Sequence, residues 1–151
     1  ATLVVCCEVL EHVPDPQAFV AELVRVGAPG SLYLLAVPDP VSEELQREFA
    51  PPSYWRPPNH VRVFAREEFA RLVEDAGLRI TARHFDGFYK TVWWSLFWAA
   101  GQDAAEPETD LLAAWSRCWS LLLAKPEGSR IKQVLDRVFP KSQIIVARKA
   151  A

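Results

Sequence analysis

Three features of the sequence predict an α/β fold on a mainly parallel sheet. Leu3-Val4-Val5-Cys6-Cys7 is a short, continuously apolar run, the pattern of a strand covered on both faces. Asp15-Pro16 opens a segment with Phe19, Val20, Leu23 and Val24 at helical spacing. Asp caps free N–H groups there, and Pro at the first helical position loses no hydrogen bond. Ser31 to Val37 (SLYLLAV) is a second apolar run. Strand, helix and strand in about 35 residues make a βαβ unit, which implies a parallel pair and a right-handed crossover.

The remaining elements follow in order. Gly27 stops the first helix, Pro29-Gly30 is a tight turn, and Pro38 closes the second strand. Residues 38–59 are loop-rich and hold six of the twelve prolines, with a short helix at Ser42–Phe49. Such a loop after a parallel strand is where α/β proteins place ligand contacts. Arg66 to Ala76 reads as a helix with Phe69, Leu72 and Val73 inward and Gly77 as its stop. Leu78 to Phe85 is a third strand, less apolar and so nearer an edge, and Gln143 to Ala147 is the last. One domain is expected: 1–86 and 142–149 supply the sheet and its flanking helices, and 87–141 is a helical, Trp-rich insertion holding five of the six tryptophans. Within it lie an aromatic-rich segment at Thr91–Ala100, a helix at Asp110–Ala124 with Leu111, Trp115, Trp119 and Leu122 on one stripe, and a short helix at Ser129–Val138. Gly101–Thr109 is a polar linker between them.

Composition bounds the function. A length of 151 residues suits one domain or most of one. Lys plus Arg is 17 against 19 for Asp plus Glu, a net charge of −2, so no nucleic-acid binding through bulk charge is expected. Hydrophobic residues at 50% and charged residues at 24% mark a globular chain. No apolar run reaches the roughly 18–20 residues of a membrane span, and no signal peptide is evident. Three cysteines, two of them adjacent and so on opposite faces of a strand, point to reduced thiols and a cytoplasmic location. There is no methionine and the chain opens on an apolar run, which suggests a fragment beginning inside a fold. Arg outnumbers Lys twelve to five, a bias pointing to a GC-rich bacterial genome.

The chemistry concentrates in Cys7-Glu8-Val9-Leu10-Glu11-His12-Val13-Pro14-Asp15-Pro16, just past the C-terminal end of the first strand. Open α/β sheets bind ligands there. Two carboxylates and an imidazole at i, i+3 and i+4 converge if the turn is helical. They could then hold a divalent metal or supply acid and base groups. Equally, one carboxylate caps a turn and His12 packs beneath the loop.

Val4 to Pro16 resembles the fourth-strand motif of class I S-adenosylmethionine-dependent methyltransferases. Later segments agree in order. Ala28-Pro29-Gly30-Ser31-Leu32 is similar to the family's turn into the fifth strand. Asn59-His60-Val61-Arg62-Val63-Phe64-Ala65-Arg66-Glu67-Glu68-Phe69 is similar to its approach to the next helix, and Leu72 to Leu78 to the end of that helix. The resemblance covers residues 1 to about 86 and the closing strand. It implies a Rossmann-like seven-stranded sheet with an antiparallel last strand, of which this chain holds strands four to seven. It also implies that the glycine-rich cofactor loop is missing, so the chain should bind S-adenosylmethionine weakly and be inactive alone. Cys7 and Glu8 would border the cofactor.

A narrower resemblance concerns metal. Glu8, Glu11 and His12 match the E-x-x-E-H pattern of ubiquinone-pathway O-methyltransferases and of small-RNA 3′-terminal ribose methyltransferases, and His60 matches a later histidine of the latter. That resemblance implies a divalent ion on Glu8, Glu11, His12 and His60. Other methyltransferases with this motif leave His12 and His60 as structural residues or as general bases. The acceptor implied is small or lipid-like, and Tyr89, Trp93 and Trp94, with Phe88, Phe97 and Trp98 nearby, would line its pocket. The same aromatic segment also suits peripheral membrane contact or subunit contact. Two other functions fit the residues: a non-catalytic methyltransferase-like binding or scaffold module, and a metal hydrolase.

Overall fold

The computed structural model describes residues 1–103, 105 and 107–150; positions 104 and 106 of the expected polar linker lie outside the described residues. Strands β1 (Leu3–Cys7), β2 (Leu32–Pro38), β3 (Leu78–Asp86) and β4 (Ser142–Lys149) form one sheet in the order β1-β2-β4-β3. β1 and β2 pair in parallel, from Leu3 opposite Leu32 to Cys7 opposite Ala36. β4 runs antiparallel to both β2 and β3. The last strand is thus antiparallel as expected, and β3 is at an edge. The sheet itself is four-stranded and mixed, not seven-stranded and mainly parallel. β4 wedges between β2 and β3, which turns two of its three pairings antiparallel.

Among the described residues six α-helices accompany the sheet: α1 (Pro16–Val26), α2 (Pro40–Phe49), α3 (Arg66–Asp75), α4 (Phe88–Ala99), α5 (Asp110–Leu123) and α6 (Gly128–Val138), with a 3₁₀ turn at Pro52–Trp55. The main core joins α1 and α3 to one face of the sheet. Val4, Cys6, Tyr33, Leu35, Ile145 and Ala147 point into it and meet Val20, Phe69, Leu72 and Val73. Full burial of each Val, Leu, Ile or Phe among them contributes about 1.5–3 kcal/mol. The other face of β1 is open. Leu3 is 54% and Val5 55% exposed, so the apolar run is covered on one face rather than two.

Local chemistry sets the element ends. Asp15 accepts a hydrogen bond from the Ala18 N–H at 2.9 Å and caps α1. At the other end of α1, Tyr33 Oη donates to the carbonyls of Leu23 and Val24, and Lys149 Nζ donates to those of Val24 and Gly27. These donors satisfy carbonyls that have no partner within the helix. Gly27 is required by this close approach, since a Cβ there would lie 1.9 Å from Tyr33 Oη.

The described part of the insertion carries helices α4, α5 and α6 joined by non-helical segments, and the aromatic-rich segment lies in α4 up to Ala99. Asp136 of α6 accepts from the N–H groups of Gly87 and Phe88 and holds the start of α4. In α5 the expected stripe holds at Trp115, Trp119 and Leu122, and Leu112 takes the place of Leu111. Leu112 and Trp119 are buried, whereas Leu111 is 48% exposed. No helix among the described residues is long and apolar enough to cross a membrane.

Candidate functional site

The loop between β1 and α1 turns sharply at Glu8, whose φ of 55° lies in the left-handed region. A non-glycine residue there needs support. Ser142 Oγ donates to one Glu8 oxygen at 2.9 Å, and Lys141 Nζ lies 3.4 Å from the other. Glu8 is therefore held by the start of β4. The loop then brings Glu11 inward. Glu11 is 1% exposed, and neither carboxylate oxygen has a hydrogen-bond partner. Burial pushes its carboxyl above the ordinary value, reinforced by the Glu8 charge and opposed by its own backbone N–H, which does not reach hydrogen-bond geometry, and by His12 and His60.

The second strand of the site is the proline-rich loop after α2. The Val61 N–H donates to the Glu11 carbonyl at 2.9 Å, and Arg62 donates to the carbonyls of Val13 and Pro14. These bonds bind the two loops together and place His60 beside His12, with ring centroids 4.9 Å apart. Glu11, His12 and His60 each offer one ligand atom, all within 4.8 Å of one another. Of the four residues expected to share a metal, three converge. Glu8 is turned toward Lys141 and Ser142 instead.

The ring nitrogens can be assigned from their partners. His12 Nδ1 lies 3.1 Å from the Pro58 carbonyl, which can only accept, so Nδ1 carries the proton. The remaining nitrogen, Nε2, is 3.5 Å from Glu11 Oε1. Two lone pairs thus face each other across a gap, a repulsive arrangement unless a proton or a cation stands between them. His60 Nδ1 is 2.7 Å from Glu43 Oε2. Burial pushes the Glu43 carboxyl up, but the His60 hydrogen bond and the Lys141 charge outweigh it and hold the group below its ordinary value. Glu43 is then ionised, and His60 donates to it.

Glu43, Lys141 and Tyr54 were not singled out from the sequence. Tyr54 Oη donates to Glu43 Oε1 at 3.3 Å, and Lys141 Nζ is 3.4 Å from the same oxygen. Burial, then the Glu43 charge, pushes the Tyr54 phenol up, so it remains a donor. Nothing local in the sequence of α2 marks this network. Ser42, Glu43 and Gln46 are the helix's buried residues, while Val41 and Phe49 are exposed. Val41, Leu45 and Phe49 recur at i, i+4 and i+8, an apolar stripe by spacing, yet the polar side of the helix is the one packed inward. Asp39 anchors its start, accepting from the Val41 N–H and from Arg66 of α3 at 2.8 and 3.0 Å.

A pocket of about 660 Å³ opens beside this cluster. Tyr54, Trp94, Phe97 and Trp98 form aromatic walls, and Glu8, His60 and Lys141 border it. Of the six aromatic residues expected at a pocket, Trp94, Phe97 and Trp98 line this one, whereas Phe88, Tyr89 and Trp93 do not. Tyr89 stacks on Trp115 at 5.9 Å and bonds Ser116, and Trp93 donates to Glu108. The reason is helix phase. Residues 94, 97 and 98 share one side of α4, whereas 89 and 93 share the side toward α5. Trp98 Nε1 also donates to Gln46 Oε1 and ties α4 to α2. Cys7, at the end of β1, is exposed. Burial, then the charges of Glu8 and Glu11, raises its thiol pKa, the reverse of an activated nucleophile.

A family model described as a methyltransferase domain matches residues 1–83, more than half of the chain. The chain belongs to that family. Solved structures agree on the fold. A candidate methyltransferase of Bacillus halodurans is 20% identical with a TM-score of 0.52, covering 99% of this chain and 70% of its own. A SAM-dependent methyltransferase of Archaeoglobus fulgidus is 16% identical with a TM-score of 0.50, covering 98% and 59%. The [4+2]-cyclase SpnF is 17% identical with a TM-score of 0.53, covering 99% and 50%. The chain thus spans 50% to 70% of these relatives' lengths. No curated protein sequence matches significantly.

Proposed function

We propose that this chain forms the acceptor side of an S-adenosylmethionine-dependent methyltransferase acting on an oxygen of a small or lipid-like acceptor. The observation that carries the reading is the convergence of Glu11, His12 and His60, with unpaired lone pairs, next to an aromatic pocket of about 660 Å³. That volume lies within the usual range for small-molecule sites. The walls would hold an apolar or aromatic body by contact with Tyr54, Trp94 and Trp98, and the acceptor hydroxyl would face the histidines.

Methyl transfer from a sulfonium asks for alignment, exclusion of water and removal of one proton. The aromatic walls serve the first two. His12 is suited to the third, because the Pro58 carbonyl fixes its proton on Nδ1 and leaves Nε2 basic. The donor set of Glu11, His12 and His60 also fits a divalent ion. One carboxylate and two imidazoles suit Mn²⁺, Fe²⁺, Co²⁺ or Zn²⁺ better than Mg²⁺, and the paired-off Nδ1 atoms leave each ring one nitrogen to give. Such an ion would lower the pKa of the acceptor hydroxyl. The six glycines are all isolated from one another, so these 151 residues hold no Gly-x-Gly cradle for the methionine part of the cofactor.

In the complete protein, His12→Ala should lower methyl-transfer turnover by about 10²–10⁴-fold and leave S-adenosylmethionine affinity nearly unchanged. Unchanged turnover would remove His12 from the reaction. The likeness to SpnF, whose named activity is cyclisation, supports a second reading, a methyltransferase fold serving another purpose. Absence of methyl transfer in the complete protein, with intact binding of an acceptor-like ligand, would favour it.

A further inference from the structure

We propose that Glu43 is the positioning residue of the site: its carboxylate fixes the proton of His60 on Nδ1 and so presents Nε2 as the ring's free lone pair. The inference rests on reading Glu11, His12 and His60 as a cation site, and adds a residue outside the E-x-x-E-H pattern. The two Glu43 oxygens divide their work. Oε1 receives Tyr54 Oη and Lys141 Nζ at 3.3 and 3.4 Å, and Oε2 is left to His60 Nδ1 at 2.7 Å. Glu43 is fully buried. Burying a carboxylate costs several kcal/mol unless partners compensate, and His60, Tyr54 and Lys141 supply that compensation here. The fold goes further and turns α2 over, leaving Val41 and Phe49 in solvent so that Glu43 reaches His60. A carboxylate on the far nitrogen of an imidazole sets its tautomer and ring plane and makes the near nitrogen a better donor. His12 has the neutral version of this arrangement, with the Pro58 carbonyl in the place of the carboxylate. Tyr54 also lies against the His60 ring, with centroids 4.5 Å apart, and limits its rotation.

The test uses this chain, labelled with ¹⁵N, and two readouts: the ring-nitrogen shifts of His60 without metal, and Co²⁺ binding by calorimetry. In the unaltered chain His60 should show protonated Nδ1 and bare Nε2. Glu43→Leu should move His60 toward the opposite tautomer and weaken Co²⁺ binding about 10- to 100-fold. Glu43→Gln, which keeps an acceptor oxygen, should restore the tautomer and most of the affinity. If Glu43→Leu does not fold, Glu43→Asp keeps the charge but draws it back from the ring and should weaken the same preference. A wild-type tautomer in Glu43→Leu or in Glu43→Asp would overturn the proposal. The tautomer shifting as expected in a chain that binds no Co²⁺ would uphold Glu43 as the positioning residue and reject the cation site alone.

Discussion

Glu11 is costly to bury. A buried carboxylate without a hydrogen-bond partner opposes folding, and its raised pKa expresses that cost. For a carboxyl raised on folding, the penalty is present above the folded pKa and fades as pH falls through it. In the metal-free chain Glu11→Gln should therefore raise stability at pH 7 by about 1 kcal/mol, since a neutral amide is less costly to bury. The gain should vanish in acid. Denaturant unfolding at pH 7 and near pH 4 checks this, and a loss of stability at pH 7 would mean that Glu11 has a partner in solution. Glu43 has the opposite sign. Its depressed pKa adds stability above the unfolded value of about 4.5 that is lost as pH falls through the folded value. The sequence motif exposed Glu11 and His12 because they are adjacent to a strand end. Glu43 escaped it because nothing in residues 40–49 announces which side of a short helix faces in.

Helix phase decides what the aromatic insertion does. On α4, Trp94 and Trp98 face the pocket, whereas Trp93 faces Lys90 and Glu108. Trp94→Ala should weaken binding of an aromatic acceptor by about 2- to 13-fold, in line with about 0.5–1.5 kcal/mol for an aromatic pair. Trp93→Ala should leave binding near the wild-type level. Tryptophan fluorescence titration distinguishes them, and equal effects would remove the pocket from acceptor binding. Segment composition revealed that this insertion is aromatic, but a segment without a clear stripe leaves its rotation open. The same gap explains Leu111 and Leu112 on α5. Neighbouring leucines are equivalent by hydropathy, and packing against α4 and α6 chooses between them.

At the scale of the molecule the sheet has one finished face and one open one. α1 and α3 cover Val4 and Cys6, but Leu3 and Val5 stand on the other side of an edge strand. An exposed apolar edge strand favours pairing with other chains. This chain should associate as its concentration rises, and Val5→Lys should suppress the association without altering the core. Sedimentation at several concentrations tests it, and a monomer throughout for the unaltered chain would refute it.

The sequence by itself determined the order of strands and helices, the βαβ unit, the edge position of β3 and the place of the Glu11–His12 pair after β1. These depend on local periodicity, caps and proline, which operate within a few residues. Only the tertiary structure decided that Glu8 leaves the cluster for Lys141, that Glu43 joins it through His60, and that one side of α4 makes the pocket. Lys141 is 133 residues from Glu8 and 98 from Glu43. Contacts over such separations arise from the sheet order, where β4 enters between β2 and β3 and brings its first residues to the end of β1. No local pattern encodes that approach.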